Sequence, residues 1–500
     1  MVSQLSLSDR AYHVSSTVGL AVLVAAVYAA GMDIPYYADD FELYFPALEV
    51  HGTALFFRTG PEIEFYRPLQ NVFLSLIQSG AGLYAVPVHS LTLLLHFAVV
   101  GLVYEGAMWL GASRRAALLS AVTMGVAQAN VAAVLGNDTL SQVGATLFGY
   151  LALRLYGTWR VRDTSGIFRA GAVLVVLSGA FLFKETGVAF GLPIVVAEGI
   201  EGWGAIGKNR WGRLSRSILW IGGVFFVTAG YLAWRAGTGA VSPGVGSEPY
   251  QYWFGINLVR NAGLFGAAAA SVIPTTSVAQ WAQLGAHLPL GAALLGMAVV
   301  GCVVSYGLIL GAHRQLAGGL LLLAGLSLAP VLPLNDVSEL YVYAAMPPLS
   351  ILAGLGFDGV LSVLSGWKQV GGVLLIAAYF LGQIGGVWQK SALMERTGER
   401  TQSVLTMIVD VARTAPQRAS ICLGDEPIAD TTAYSVYRMP GAAPFRFAGP
   451  VIRHLARRPD VAFEVGTVHC REKMGKHPRV LLQLRKNGRE IEPLSEGHVQ

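Results

Sequence analysis

Residues 14–32 read VSSTVGLAVLVAAVYAAGM and residues 315–335 read QLAGGLLLLAGLSLAPVLPLN, two runs without a single Lys, Arg, Asp or Glu. About 20 consecutive apolar residues are what a helix needs to cross the hydrocarbon core of a bilayer. His287–Ala312 and Gln369–Gln389 are equally free of charge. In lipid the backbone polar groups must be satisfied within the segment, which makes each run a helix. The whole chain agrees: of 500 residues 54% are hydrophobic and only 13% charged, against roughly 25% charged in an ordinary globular protein. So few charges cannot cover a water-facing surface. The fold class is an α-helical polytopic membrane protein. Its 60 glycines follow no collagen-like period and suit close helix packing in lipid.

Working outward, further apolar windows lie near 88–110, 116–134, 143–158, 170–183, 186–201, 217–236, 290–311, 316–334, 341–364 and 370–389. With Val14–Gly31 they make eleven spans. The first is read as a retained helix, not a signal peptide, because Arg10 is the only basic residue before it. Lys and Arg in short loops mark the cytoplasmic side. With the N-terminus inside, Arg114–Arg115, Arg154/Arg160/Arg162/Arg169, Lys208/Arg210/Arg213/Arg216, Arg314 and Lys368 all fall inside. The net charge of +5 is thereby an orientation signal, not a nucleic-acid patch.

The same parity places Asp33–Arg67, Asn137–Asp138, Lys184–Glu185, Gly237–Gln283, Asn335–Glu339 and everything after Lys390 outside. Pro68–Val86 and Asn261–Ile273 are apolar but, counted singly, would invert the charge rule. They read as helices in or dipping into the outer interface. Residues 1–390 thus form a transmembrane domain, with 33–87 its first outer loop and juxtamembrane helices. Residues 391–500 form a small extracytoplasmic α/β domain: a helical run Thr401–Ala412, strands at Ala419–Leu423 and Val480–Leu484, and a helical stretch near Thr431–Tyr437. Its Cys422 and Cys470 either pair or stay free; Cys302 lies in a span.

The chemistry-bearing residues gather at the outer face. The first outer loop carries Asp33, Asp39, Asp40, Glu42, Glu49, Glu62 and Glu64. In Tyr36-Tyr37-Ala38-Asp39-Asp40-Phe41, adjacent carboxylates sit between aromatics where a lowered dielectric raises a pKa, as a general base requires; a solvated acidic loop with an aromatic belt is the plainer reading. Tyr66-Arg67-Pro68 opens an apolar helix with an arginine that either grips a phosphate or snorkels. Lys184-Glu185 interrupts an apolar stretch, and charges at membrane depth are functional by default, although a private ion pair is open. Asn137-Asp138 and Asn335-Asp336-Val337-Ser338-Glu339-Leu340-Tyr341 are further polar clusters on that face. His96 and His313 have no second ligand at useful spacing and read as structural. No metal-binding or nucleotide-binding motif stands in a supporting context.

An acidic pair in the first outer loop, then Tyr-Arg-Pro-Leu, then Lys-Glu-Thr opening a span, then a late Glu-Leu-Tyr resembles the GT-C fold glycosyltransferases. Most similar is the protein O-mannosyltransferase superfamily with its TPR-containing transmembrane members; the lipid A aminoarabinose transferases stand further off. The resemblance covers roughly residues 10–390 and rests on motif order. It implies Asp39 as catalytic acid-loop base with Asp40 beside it, and Arg67, Lys184 and Tyr66 at the phosphate of a polyprenyl-phosphate sugar donor. Glu185, Asp138, Asp336, Glu339 and Tyr341 would support them. Leu340 departs from the family's Glu-Arg-Tyr, and the tail lacks TPR repeats or a β-trefoil. The implied reaction is inverting transfer to a glycan, lipid or protein hydroxyl at the outer face of the plasma membrane, with membrane lipids around it and no nucleic acid. No cofactor is called for, and a divalent metal is not indicated. A transporter or flippase of a lipid-linked glycan is the alternative. It would predict internal repeats and mid-membrane charge; a non-catalytic scaffold would have no use for the acidic pair.

Overall fold

The computed structural model describes residues 7–44, 66–82, 84–161, 167–204, 210–238, 251–283, 287–310, 313–335, 338–425, 437, 439, 442–445, 448–465, 478–484 and 490–493. In chain order the helices are α1 (Leu7–Tyr28), α2 (Asp39–Tyr44), α3 (Pro68–Ala81), α4 (Val86–Trp109), α5 (Arg114–Val126), α6 (Val131–Leu135), α7 (Leu140–Val161), α8 (Ile167–Phe183), α9 (Leu192–Gly204), α10 (Arg210–Gly237), α11 (Ile256–Ala270), α12 (Thr275–Gln283), α13 (His287–Leu310), α14 (Arg314–Leu328), α15 (Met346–Val363), α16 (Gly366–Thr414) and α17 (Gly449–Ala456). Each of the eleven apolar windows contains helix, although 316–334 leaves its α-helix after Leu328 and 186–201 begins as a 3-10 segment. Among the described residues, five helices are long and apolar enough to cross a membrane, six if one bent pair counts as a single span, and three shorter apolar helices accompany them. The protein is a membrane protein.

The bent pair is the third window. A break at Ala127, whose ψ of 124° leaves the helical region, bends it by 45°. The freed polar groups are satisfied locally, as burial demands: the Gln128 amide donates to the carbonyls of Ser271 and Ile273, and the Gln128 backbone N–H donates to Gln383 at 3.0 Å. Glycine lets helices touch where the sequence put it. A Cβ on Gly354 would meet the Ala116 carbonyl at 2.6 Å, and one on Gly307 would run into the Gly356 backbone. These contacts lock α15 to α5 and α13, the small-residue packing that lipid favours.

The two segments omitted from the span count are short helices, α3 of 14 residues and α11 of 15. At 1.5 Å per residue each is about 21–23 Å long, less than a bilayer core. Asn261 pins α11 to the Leu332 and Leu334 carbonyls, both at 2.8 Å.

The C-terminal domain is a four-stranded sheet of β1 (Ser420–Asp425), β2 (Ala462–Val465), β3 (Arg479–Leu484) and β4 (Ile491–Pro493) in the order β2-β1-β3-β4. β1 lies parallel to β2 and β3, with Ile421 opposite Phe463 and Val480; β3 and β4 are antiparallel. Cys422 is disulfide-bonded and Cys302 is free; Cys470 and residues 431–436 lie outside the described residues. One correction concerns the domain boundary. The run Thr401–Ala412 is no separate helix but the distal part of α16, which continues unbroken for 49 residues. The division at 390/391 therefore cuts a single rod about 73 Å long. Its first half presents apolar residues outward (Trp367, Leu374, Leu381), while its second half packs Val404, Leu405, Ile408 and Val409 under the sheet.

Candidate active site

The acid loop is shaped by one unusual backbone position. Ala38 adopts φ 55°, a left-handed conformation costing an L-residue roughly 1–2 kcal/mol, and its N–H donates to the Pro444 carbonyl at 2.8 Å. The kink starts α2 at Asp39 and splits the two acids. Asp39 is exposed. Asp40 is buried, its Oδ2 accepting from the Tyr37 N–H at 2.9 Å and from the Asn137 side-chain amide at 3.1 Å. Burial, reinforced by the charges of Asp138 and Asp39, drives the Asp40 carboxyl well above the usual carboxylate range despite those two hydrogen bonds. The Glu42 side chain and Glu49, Glu62 and Glu64 lie outside the described residues.

Arg67 ends the chain's approach to α3, and Pro68, which has no N–H to lose, opens that helix. The guanidinium is buried and bidentate on Glu185, with Nε at 3.1 Å and Nη2 at 2.9 Å. Burial would raise the Glu185 carboxyl, but Arg67, with Lys184 beside it, holds it at about 2. The adjacent Lys184 is also buried, yet its ammonium hydrogen-bonds no described residue; it stands 5.4 Å from the Tyr341 ring centroid. Burial, then the like charge of Arg67, lower Lys184 to about 7.

The turn Gly136–Thr139 follows α6 and carries Asp138 into electrostatic reach of Asp40, Arg67 and Lys184. Burial raises its carboxyl above the usual range while the two cations pull against it. Gln70 on α3 ties the Asp138 carbonyl at 3.0 Å. Asp138 is thus the link between the acid pair and the cationic pair.

Beside Arg67, the buried Tyr66 helps line a cavity of about 440 Å³ together with Phe181, Leu182, Val227, Tyr231 and Trp234. Its walls are almost wholly apolar. Arg235, one turn beyond Tyr231 at the end of α10, was missed by sequence reasoning. Its buried Nε has no partner among the described residues, and Tyr231 lies within electrostatic reach of Arg235, Arg67 and Glu185. The available signal was its breach of the charge rule: a lone arginine at the outer end of an apolar window.

Glu339 is not brought to this cluster. It accepts from Lys390 at 2.7 and 2.8 Å, from Tyr437 at 2.6 Å and from Thr275 at 3.2 Å. Of that motif only Tyr341 reaches the site. Asp336 lies outside the described residues. Among the described residues, no three His, Cys, Asp or Glu side chains stand together as a metal-ion site requires.

The helical membrane body carries the acid pair and the cationic pair together, with short helices beside them and a small α/β domain beyond; as the motif order implied, the fold is GT-C, shown by its likeness to the solved structures that follow. By sequence, no family model and no curated protein matches the chain. By structure, it is similar to ArnT from Cupriavidus metallidurans in the apo state, with 14% identity and a TM-score of 0.51 over 95% of this chain and 94% of that one. The same protein bound to undecaprenyl phosphate gives 13% identity and a TM-score of 0.51 over 94% and 93%. The archaeal oligosaccharyltransferase AglB from Archaeoglobus fulgidus, in complex with an inhibitory peptide and a dolichol-phosphate, gives 11% identity and a TM-score of 0.53 over 99% and 75%.

Proposed function

We propose that the chain is a multi-pass, inverting glycosyltransferase that moves a sugar from a polyprenyl-phosphate carrier to a hydroxyl acceptor on the outer face of the membrane. In this reading the eleven helical windows all cross, the N-terminus is cytoplasmic, and the C-terminal domain is extracytoplasmic. The observation that carries it is Lys184: a buried ammonium that hydrogen-bonds no described residue, beside Arg67 and within electrostatic reach of Asp138, which in turn acts on Asp40.

The chemistry follows from what leaves. A glycosyl phosphate departs as an anion, so the leaving group needs cations in place, not a protonating acid. Lys184 meets the phosphate, with Arg67, held square by Glu185, adding its field; the polyprenyl chain lies along the cavity wall of Tyr66, Tyr231 and Trp234. Asp39 takes the acceptor proton as the hydroxyl oxygen attacks the anomeric carbon from the face opposite the phosphate. The C–O bond to phosphate breaks, its electrons stay on the carrier, and configuration inverts. Asp40, buried and fixed by Tyr37 and Asn137, orients the loop and Asp138 ties it to the cations. Binding of undecaprenyl phosphate by ArnT and of dolichol-phosphate by AglB, on this same fold, supports the donor class.

The decisive assay is sugar transfer from polyprenyl-phosphate donors by Asp39→Asn and Asp40→Asn proteins of wild-type thermal stability. Removal of a general base costs about a hundred- to ten-thousandfold in rate, so Asp39→Asn falls by that factor and Asp40→Asn by less. Full activity in both would remove the acid pair from the mechanism and favour a transporter.

A further inference from the structure

We infer that the C-terminal domain and the distal half of α16 position the acid loop: they hold residues 33–41 in the conformation that exposes Asp39 and buries Asp40. The inference rests on the glycosyltransferase reading for its catalytic consequence, but its structural half can be judged separately.

Three contacts carry it. The left-handed Ala38 stands directly before Asp39, and its N–H is taken by Pro444 of the small domain, 406 residues away. Pro444 belongs to a 3-10 turn, Ala443–Phe445, anchored by the fully buried Phe445. On the other side, Pro35 rests against Gly398 of α16 so closely that a Cβ there would meet Pro35 Cδ and its carbonyl oxygen at 2.7 Å. Between them, Tyr36 and Phe41 are buried in one apolar cluster with Phe445, Val404 and Leu405. Tyr437 supplies a further tie, its hydroxyl bonding Glu339 and its carbonyl accepting from Thr397 at 3.4 Å.

The physical consequence is directional. A non-glycine residue stays left-handed only where its surroundings over-determine it. Without the Pro444 acceptor or the Pro35–Gly398 contact, Ala38 relaxes toward negative φ, and the residues after it rotate. Asp39 and Asp40 begin a helix, about 100° apart around its axis. Rotation that frees Asp40 from Tyr37 and Asn137 therefore swings Asp39 away from the acceptor. The cationic pair is fixed by the Arg67–Glu185 pairing and takes neither the Pro444 acceptor nor the Pro35–Gly398 contact, although Leu74 of α3 and Phe183 line the same apolar cluster.

The test uses the full-length protein with Gly398→Ala and Ala38→Pro, the second removing the donor N–H and fixing φ near −65°. Two measurements accompany it: amide hydrogen exchange, and turnover alongside binding of undecaprenyl phosphate. Expected are faster exchange across 33–41 with 68–81 unchanged, a turnover lower by roughly ten- to hundredfold, and undecaprenyl-phosphate affinity kept. Ala38→Gly retains the donor and accepts positive φ, and it brings turnover back to within about threefold of wild type. Unchanged exchange across 33–41 in both disruptive variants overturns the clamp. Faster exchange with wild-type turnover overturns its positioning role. Loss of undecaprenyl-phosphate binding in parallel with turnover also overturns it, since the damage would then not be confined to the acid loop. Wild-type protein inert toward every polyprenyl-phosphate sugar would instead refute the glycosyltransferase reading before any variant is made, and the exchange data would still decide the clamp.

Discussion

Two buried lysines, Lys184 and Lys390, sit near the same end of the bundle, each with a glutamate at hand, and they are used differently. Lys390 is enclosed: it donates to both oxygens of Glu339 and to the Gln128 carbonyl at 3.0 Å, and it lies 5.0 Å from the Tyr437 ring centroid. Its ammonium bonds go to Glu339 and the Gln128 carbonyl, so the charge is part of the scaffold joining the bend at Gln128, the turn at Glu339 and the small domain. Lys184 is adjacent to Glu185, but that carboxylate is bidentate on Arg67. The ammonium is left with an aromatic face, hydrogen-bonds no described residue, and feels Glu185 and Asp138 only through their charge. A buried charge without its own counter-ion is costly unless a ligand supplies one. In the proposed function, the difference separates a cation that builds the protein from one that receives the donor phosphate.

The largest effect that sharpens this contrast is in stability. Lys390→Ala leaves the part-buried Glu339 carboxylate without its cation, with only the Tyr437 and Thr275 hydrogen bonds to hold it, and should approach the cost of about 3–5 kcal/mol for breaking a buried pair from one side. Thermal unfolding in detergent should fall sharply, and Lys390→Met with Glu339→Gln should regain most of the loss. A Lys390→Ala protein as stable as wild type would break the comparison. Lys184→Ala should do the reverse, leaving the unfolding temperature unchanged or higher. It should weaken undecaprenyl-phosphate binding by about 1.5–3 kcal/mol, the range for a hydrogen bond to a charged group. That corresponds to roughly ten- to hundredfold in dissociation constant, measurable by titration of the purified protein. Wild-type affinity in Lys184→Ala would return that lysine to an anchoring role.

The sequence made the contrast only half visible. Charge-free windows and the placement of Lys and Arg reveal the helices, because lipid permits few alternatives. For the same reason Asp39, Asp40, Arg67, Asp138, Lys184 and Glu185 stood out as charges at one face. Their pairing did not. Arg67 takes Glu185 across 118 residues and Lys390 takes Glu339 across 51, and nothing local distinguishes a committed lysine from an uncommitted one. Lys390 looked like the start of the outer tail, and Glu339 like a site residue, because motif order says which residues are present and not which way α16 presents them. The clamp on Ala38 was invisible for a related reason. Its partner is a backbone carbonyl, which carries no residue signature, and a left-handed alanine is set by tertiary context against local preference. Asn137, by contrast, sat in a polar cluster that sequence flagged; only its orientation toward Asp40 had to come from structure.

The smallest predicted effect is also the most specific to Lys184. Its pKa is brought down to about 7, first by burial and then by Arg67, so in the unliganded protein the ammonium loses its proton as pH rises through neutrality. A polyprenyl-phosphate sugar is a phosphodiester whose single negative charge does not change in this range. The sign is therefore set by the lysine alone: the protonated form binds the donor, the neutral form binds it poorly, and affinity is full below pH 7 and declines above it. The limiting slope is about tenfold per pH unit, since each unit above the pKa leaves a tenth of the protein competent. The bound phosphate raises the lysine's pKa in turn, so the complex formed at pH 7 takes up a fraction of a proton. Calorimetry in two buffers of different ionisation enthalpy would detect that uptake, and donor affinity from pH 6 to 8.5 would trace the decline. Lys184→Arg keeps the charge at every pH in this range and should flatten the profile. A sloping profile that persists in Lys184→Arg would assign the titration to Asp138 or Asp40.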